Sequence, residues 1–263
     1  IKSANIRNDR SYLYGAPYSQ DRFGIGSLPS NRTDFVVKGS MHDPEYMLAN
    51  EFYAFLRDSN FHISGSARGN RLLNQPKMMY DSLTLLYTHK GQNLFDIIKL
   101  TNEKSINLFA EGMLNLIGFE TNSYGSTESG IRAIYKNFEG KIDLSGMDLK
   151  DGSGLSRKNA VSARNFVNLL SYIHRSSLNE TFRSTLAVAG KSGTLKNICR
   201  SQPASGRIFA KSGTLSNVKA YAGFVKTMTG KNLAFALIVN NFEGSRYQLV
   251  KKMERIFNAM ASY

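Results

Sequence analysis

The stretch "AGKSGTLKNICRSQPASGRIFAKSGTLSNVKAYAGF", Ala189 to Phe224, prints KSGTL twice, starting at Lys191 and again at Lys211. Lys-Ser/Thr-Gly is a triad that some serine acyl-transfer enzymes carry at the edge of a sheet. The two copies sit in different surroundings. The first follows "NETFRSTLAVAG", read as a short helical stretch ending in Gly190, and continues into polar "KNICRSQPASG", so it reads as a loop. The second is preceded by "RIFA" and followed by "NVKAYAGFVKT", where small and aromatic residues alternate as in a central antiparallel strand. On a strand edge, a lysine can be held toward a cleft, the next hydroxyl can face a ligand, and glycine keeps the wall flat. The free backbone beside it can then accept an extended peptide as one more strand. Only the copy at Lys211–Thr214 fits that chemistry.

Outward from this stretch, the C-terminal third reads as a meander, with strands near Arg207–Lys211, Asn217–Lys226 and Leu233–Asn240. "GSRYQLVKKMERIFNAM" then reads as an amphipathic helix. Ser245 and Gln248 form its capping box, and Leu249, Val250, Met253, Ile256, Phe257 and Met260 its inward stripe. Upstream, Ser162 caps a helix with Phe166, Val167, Leu170 and Ile173 inward, preceded by the glycine-rich loop "DGSGLSRKN" (Asp151–Asn159). Further helices are expected over about Glu128–Phe138, over "LFAEGMLNLIGF" and over "NLFDIIKL" (Asn93–Leu100), the last interrupted by "TNEKSIN". "SLTLLYTH" (Ser82–His89) reads as a buried strand.

Residues 1–40 are rich in Gly, Ser, Asn, Asp and Pro, which predicts short strands and turns. Asp43 as N-cap and Pro44 at the first helical position open a long helix with Tyr46, Met47, Ala49, Phe52, Phe55 and Leu56 along one side. That change of texture near residue 42 is the expected domain boundary, separating 1–42 from 43–263.

The 263 residues, 41% hydrophobic and 21% charged, suit a globular protein with a substantial core. No apolar run approaches the roughly 18 residues of a membrane span. The chain opens "IKSANIRNDR", without an initiator Met or a signal-peptide pattern, and is expected to be a processed or truncated product. A single cysteine, Cys199, rules out an internal disulfide and a multi-Cys zinc site. The four histidines are scattered, with no HxxxH arrangement, so no metal and no cofactor is expected. A net charge of +14 favours polyanionic surroundings, but Lys and Arg are spread evenly in runs no longer than two. No nucleic-acid motif is present, and no nucleic-acid partner is expected.

A second motif gives the strand triad its specificity. "EKSINLFAEGM" places Ser105 and Asn107 at the start of a helix in the pattern Ser-x-Asn. Alone, such residues are most often caps. With a downstream Lys-Ser-Gly strand and a final amphipathic helix, the combination points to one site. A Ser-x-x-Lys nucleophile motif occurs once, as "SNVK" at Ser216–Lys219. On a helix, positions i and i+3 are neighbours and the lysine could deprotonate the serine. Here the hit begins a strand, where i and i+3 face opposite sides, and Ser216 is rejected as nucleophile.

The ordered series "LFDIIKLTNEKSINLFAEGML", "DGSGLSRKNAVS", "LAVAGKSGTLKN" and "GRIFAKSGTLSNVKAYAGFV" resembles the type-4 low-molecular-mass penicillin-binding proteins, the serine D-alanyl-D-alanine carboxypeptidases/endopeptidases of bacterial cell walls. The resemblance covers nearly the whole chain. It implies an α+β, β-lactamase/transpeptidase-like domain, an antiparallel sheet flanked by helices, preceded by the end of an inserted β-rich domain that "YLYGAPYS" and "FVVKGSMHDPEYMLANEF" would link back.

The resemblance also implies roles, in a serine acyl transfer. Ser105 would relay a proton between Lys211 and the leaving amine, and the Asn107 amide would hold the substrate backbone. Lys211 would supply positive potential. Ser212 and Thr214 would bind the terminal carboxylate of D-Ala-D-Ala beside the flat wall at Gly213, with the Thr214 N–H as one of two oxyanion-hole donors. Ile106 stands where relatives often carry a polar residue, and Ser212 stands for the commoner Thr. The family's nucleophile motif lies upstream of the inserted domains, so this chain would be the C-terminal half of an exported protein of the periplasm or cell envelope. Its expected partners are peptidoglycan peptides, β-lactam antibiotics and the N-terminal half of the same protein, without which a strand edge and an apolar face would lie bare. A β-lactamase-like hydrolase and a non-catalytic cell-wall-binding module are the competing readings.

Overall fold

A computed structural model describes residues 1–7, 9–69 and 84–263. The chain divides into two compact units, Ile1–Thr88 and His89–Tyr263, so the expected boundary near residue 42 falls inside the first unit.

In the first unit, turn-forming residues chop the chain into four strands: β1 (Lys2–Ala4), β2 (Tyr12–Tyr14), β3 (Phe23–Ile25) and β4 (Ser27–Pro29). β1 pairs in parallel with β4, and β2 pairs antiparallel with β3. The helix expected from its start signals follows as α1 (Pro44–Asp58), with the Asp43 carboxylate accepting from the Tyr46 N–H at 3.1 Å. Of its expected apolar side, Tyr46, Met47, Ala49 and Leu56 are half-buried, whereas Phe52 and Phe55 are exposed. The strand expected at Ser82–His89 does not form in its described part. Among the described residues no strand pairs with Thr84–His89, and Leu85, Leu86 and Tyr87 are exposed. Ser82 and Leu83 lie outside the described residues.

The second unit begins with α2 (Leu94–Lys104), α3 (Asn107–Asn122), α4 (Thr127–Phe138), α5 (Ala163–His174) and α6 (Asn179–Ser184). α2 runs on through the "TNEK" expected to interrupt it, because nothing there opposes helix, and the break narrows to Ser105–Ile106. Then come β5 (Ala187–Val188), a one-turn 3-10 helix (Gly193–Leu195), β6 (Ile208–Leu215), β7 (Val218–Lys226), β8 (Asn232–Asn240) and α7 (Arg246–Ser262). β5 was not anticipated, since two residues are too few for a periodic signal.

β5, β6, β7 and β8 form one antiparallel sheet in that order. This mixed fold, an antiparallel sheet flanked by helices, is the class that the sequence led us to expect. Alternation along the strands sorts side chains onto two faces. Ile208, Ala210, Tyr221, Val225 and Phe235 pack with Met253, Phe257 and Ala261 of α7. Phe224, Phe209, Ala222 and Ala234 pack with Leu170 of α5 and Phe182 of α6. The capping box at Ser245–Gln248 opens α7 as expected, whereas Ile256, placed in its inward stripe from the sequence, is 45% exposed.

Gly223 sets the closeness of the two central strands. A β-carbon there would collide with the Phe209 carbonyl oxygen and lie 2.7 Å from Ala210 Cα. Gly223→Ala should force β6 off β7 and lower stability by about 1–3 kcal/mol. A urea melt of the two chains checks this: an unchanged midpoint would mean that the strands accommodate the methyl group.

Candidate active site

β6 carries the second KSGTL copy in full, and its register with β7 fixes where each residue points. Lys211 pairs with Ala222, Ser212 with Tyr221, Gly213 with Ala220 and Thr214 with Lys219. Lys211 and Gly213 therefore share the face of α5, whereas Ser212 and Thr214 lie on the face of α7. β5 pairs only with Phe209 and Ala210, so no described strand pairs with Lys211–Leu215 on the side away from β7.

The Lys211 ammonium donates to Ser105 Oγ at 2.7 Å and to the Ser212 carbonyl at 2.8 Å. Burial pulls its pKa below the ordinary lysine value. Ser105 is not at a helix start, as the motif had suggested, but caps the C-terminus of α2 in the left-handed conformation, φ 59° and ψ 53°. A serine there costs of order 1 kcal/mol or more and is kept when its surroundings over-determine it. Two neighbours do so. Asn102 donates to Thr185 Oγ1 at 2.8 Å, anchoring the last turn of α2. Gly193 of the first KSGTL copy abuts that turn so closely that a β-carbon would lie 2.6 Å from the Glu103 carbonyl oxygen.

The loop copy is thus a backing wall for Ser105. Its Thr194 Oγ1 accepts from Ser212 Oγ at 2.9 Å, which links the two copies. Sequence reading placed it as a loop and missed both contacts; a glycine with φ +56° beside a helix end leaves no periodic trace.

Asn107 opens α3 and lines the same cavity of about 580 Å³ as Ser105, Lys211 and Gly213. The facing wall is the DGSG loop. Asp151 accepts from the backbone N–H of Gly154 (2.7 Å) and Ser156 (2.5 Å) and from Asn159 Nδ2 (2.9 Å). Glu111 of α3 accepts from the N–H groups of Gly152 and Ser153 at 3.1 and 2.9 Å, tying that loop to the helix that starts with Asn107. Ser216 lies in the turn between β6 and β7, and the Lys219 of its motif donates to Thr214 Oγ1 at 2.8 Å.

Lys219 is the residue that sequence reasoning passed over. Its residue is only 7% exposed, and its ammonium stands 4.5 Å from the Tyr221 ring centroid. Among the described residues no carboxylate lies within 4.0 Å of it. Burial, with Arg246 and Lys211 adding like charge, pulls its pKa down to about 8. The available signal was its place in "VKAYAGFV", where alternation sets a lysine on the buried face with Tyr221 and Val225. Among the described residues no three His, Cys, Asp or Glu side chains are grouped to hold a metal ion.

Two outcomes follow from this geometry. Gly193→Ala should push the α2 terminus away from β6, with a loss of about 1–3 kcal/mol from overpacking. Unchanged stability would show that the backing wall yields. For Lys219, a folded pKa near 8 against 10.5 unfolded means that the unfolded chain binds more protons between those values. Its contribution to stability therefore rises from pH 8 toward 10.5. Tyr221 and Cys199, both held up at about 12 by burial, act with the opposite sign in alkali. They cancel when the chain is compared with Lys219→Met. Urea midpoints across that range should show the unsubstituted chain gaining on the variant; parallel curves would refute the lysine shift.

Comparison with known proteins gives the family of the chain. Residues 6–260 match the family model described as "D-Ala-D-Ala carboxypeptidase 3 (S13) family". The chain is similar to the D-alanyl-D-alanine carboxypeptidase of an Actinomadura species, 30% identical over 225 residues, covering 83% of this chain and 41% of that protein. It is also similar to the penicillin-sensitive carboxypeptidase A of Dictyostelium discoideum, 26% identical over 249 residues, covering 90% of this chain and 46% of that protein. The chain thus spans under half the length of these two relatives. Its fold matches the crystal structure of penicillin binding protein 4 from Haemophilus influenzae in complex with a β-lactam. That match has a TM-score of 0.77 at 22% identity, covering 97% of this chain and 60% of that one. With almost its whole length matched, the chain belongs to the family of D-Ala-D-Ala carboxypeptidases described by that model.

Proposed function

We propose that this chain is part of a penicillin-binding D-alanyl-D-alanine carboxypeptidase/endopeptidase that acts on peptidoglycan stem peptides by serine acyl transfer in the periplasm or cell envelope. Within it, 1–42 is the tail of an inserted β-rich domain and 43–263 the C-terminal part of the catalytic domain. The observation that carries the reading is the 2.7 Å hydrogen bond from Lys211 to Ser105, formed between residues 106 positions apart at the end of a bare strand edge.

An ammonium has only donors, so while Lys211 is charged Ser105 Oγ must accept from it. The serine's own proton is then free. As a serine nucleophile attacks the carbonyl between the two D-alanines, Ser105 gives that proton to the departing amine and Lys211 restores it. Asn107 holds the peptide backbone from the first turn of α3. Gly213 leaves room for the substrate, and the edge of Lys211–Leu215 pairs with it as an added strand, Thr214 N–H facing the oxyanion. Ser212 and Thr214 receive the terminal carboxylate. The nucleophile and its lysine come from a part of the protein outside this sequence.

The test uses the complete protein and a stem pentapeptide ending in D-Ala-D-Ala. Ser105→Ala and Lys211→Ala should each lower kcat/KM for D-Ala release by about 100- to 10,000-fold. Labelled penicillin should acylate the complete protein outside these 263 residues. Full turnover in both variants, or a stable adduct on Ser216, would remove the reading.

A further inference from the structure

We propose that Lys219 is a positioning residue that commits the Thr214 hydroxyl to donation toward a peptide's terminal carboxylate at the bare edge of β6. The inference rests on the acyl-transfer reading above and adds to it the source of selectivity for an anionic peptide end.

The argument begins with proton inventory. Lys219 Nζ lies 2.8 Å from Thr214 Oγ1, and an ammonium cannot accept, so Thr214 must. The threonine keeps one proton and makes no other side-chain hydrogen bond among the described residues. Thr214 is exposed on the edge strand, so that proton is offered to whatever docks there. A hydroxyl already accepting from a cation donates more strongly, because chained hydrogen bonds polarise one another. Neither Lys219 nor Thr214 lines the cavity shared by Ser105 and Lys211; Lys219 acts through the exposed Thr214 hydroxyl at the strand edge just beyond Gly213.

Charge supplies the second half. A buried cation with no carboxylate within 4.0 Å among the described residues, and with Lys211 and Arg246 adding like charge, is an uncompensated site. The depressed pKa is the mark of that imbalance, and an arriving anion would relieve it. Ser212, hydrogen-bonded to Thr194 on the same sheet face, sits one pleat away from Thr214 and completes a row of hydroxyls beside Lys219. The buried Glu254 of α7, which also acts on Tyr221, is paired with Lys251. A neutral peptide end, such as a C-terminal amide, would gain nothing from that charge.

The experiment compares N-acetyl-D-Ala-D-Ala with its C-terminal amide on the complete protein, unsubstituted and as Lys219→Met and Lys219→Arg. Cleavage is followed by release of D-Ala or its amide, and binding by calorimetry. For Lys219→Met, kcat/KM for the acid should fall about 10- to 100-fold, the loss expected for a charge-assisted hydrogen bond. The amide should change by less than about twofold, and Lys219→Arg should recover most of the loss. Equal losses on acid and amide, or an acid preference that survives in Lys219→Met, would overturn the role of Lys219. Should the unsubstituted protein bind the acid without cleaving it, and Lys219→Met fail to bind, acyl transfer falls and the Lys219 assignment stands. Binding of neither ligand by the unsubstituted protein overturns the assignment as well.

Discussion

The register between β6 and β7 is the constraint on which the site depends. Gly223 lets the two strands close, and the pairing of Lys211 with Ala222 then decides every orientation after it. A slip of one residue would send Lys211 to the face of α7 and Thr214 to the face of α5. The apolar side chains of both faces hold against such a slip, because Ile208 and Ala210 would leave the face of α7 and Phe209 the face of α5. Site geometry and core packing are thus the same specification.

Ser105 shows how a local cost is sustained. Its left-handed backbone is unfavourable for a residue with a β-carbon, yet it turns the hydroxyl out of the helix line toward β6. The Asn102–Thr185 hydrogen bond and the close approach of Gly193 hold the helix end from two directions. The duplicate KSGTL therefore divides its labour: the strand copy presents groups to the cleft, and the loop copy braces the helix that faces it.

Much of this was legible in the sequence because it is periodic. Alternation revealed β6, β7 and β8, and cap residues marked α1, α5 and α7 to within a residue or two. The pairing of the Ser-x-Asn and Lys-Ser-Gly motifs rested on order along the chain and on resemblance, not on any pattern that measures distance. What escaped lacks a period. The break between α2 and α3 hangs on one residue with positive φ, and the bracing by Gly193 is a contact with Glu103 across 90 positions of chain with no signal at either end. The strand expected over Ser82–His89 is absent from its described part, Thr84–His89, for the converse reason: an apolar run states a wish for burial without naming a partner. Lys219 was in plain view as a charge at an inward position, and was read only as half of a rejected motif.

The bare stretch of β6 has a further consequence. An unpaired strand edge is a template for any extended chain, including a second copy of its own. Here the sticky backbone is seated among like charges, with Lys211 on one face and Lys219 on the other. Two such edges approaching each other would bring four ammonium groups together in a half-buried seam. The arrangement that welcomes an anionic peptide end is therefore also a barrier to self-association and a guard against fibril-like stacking.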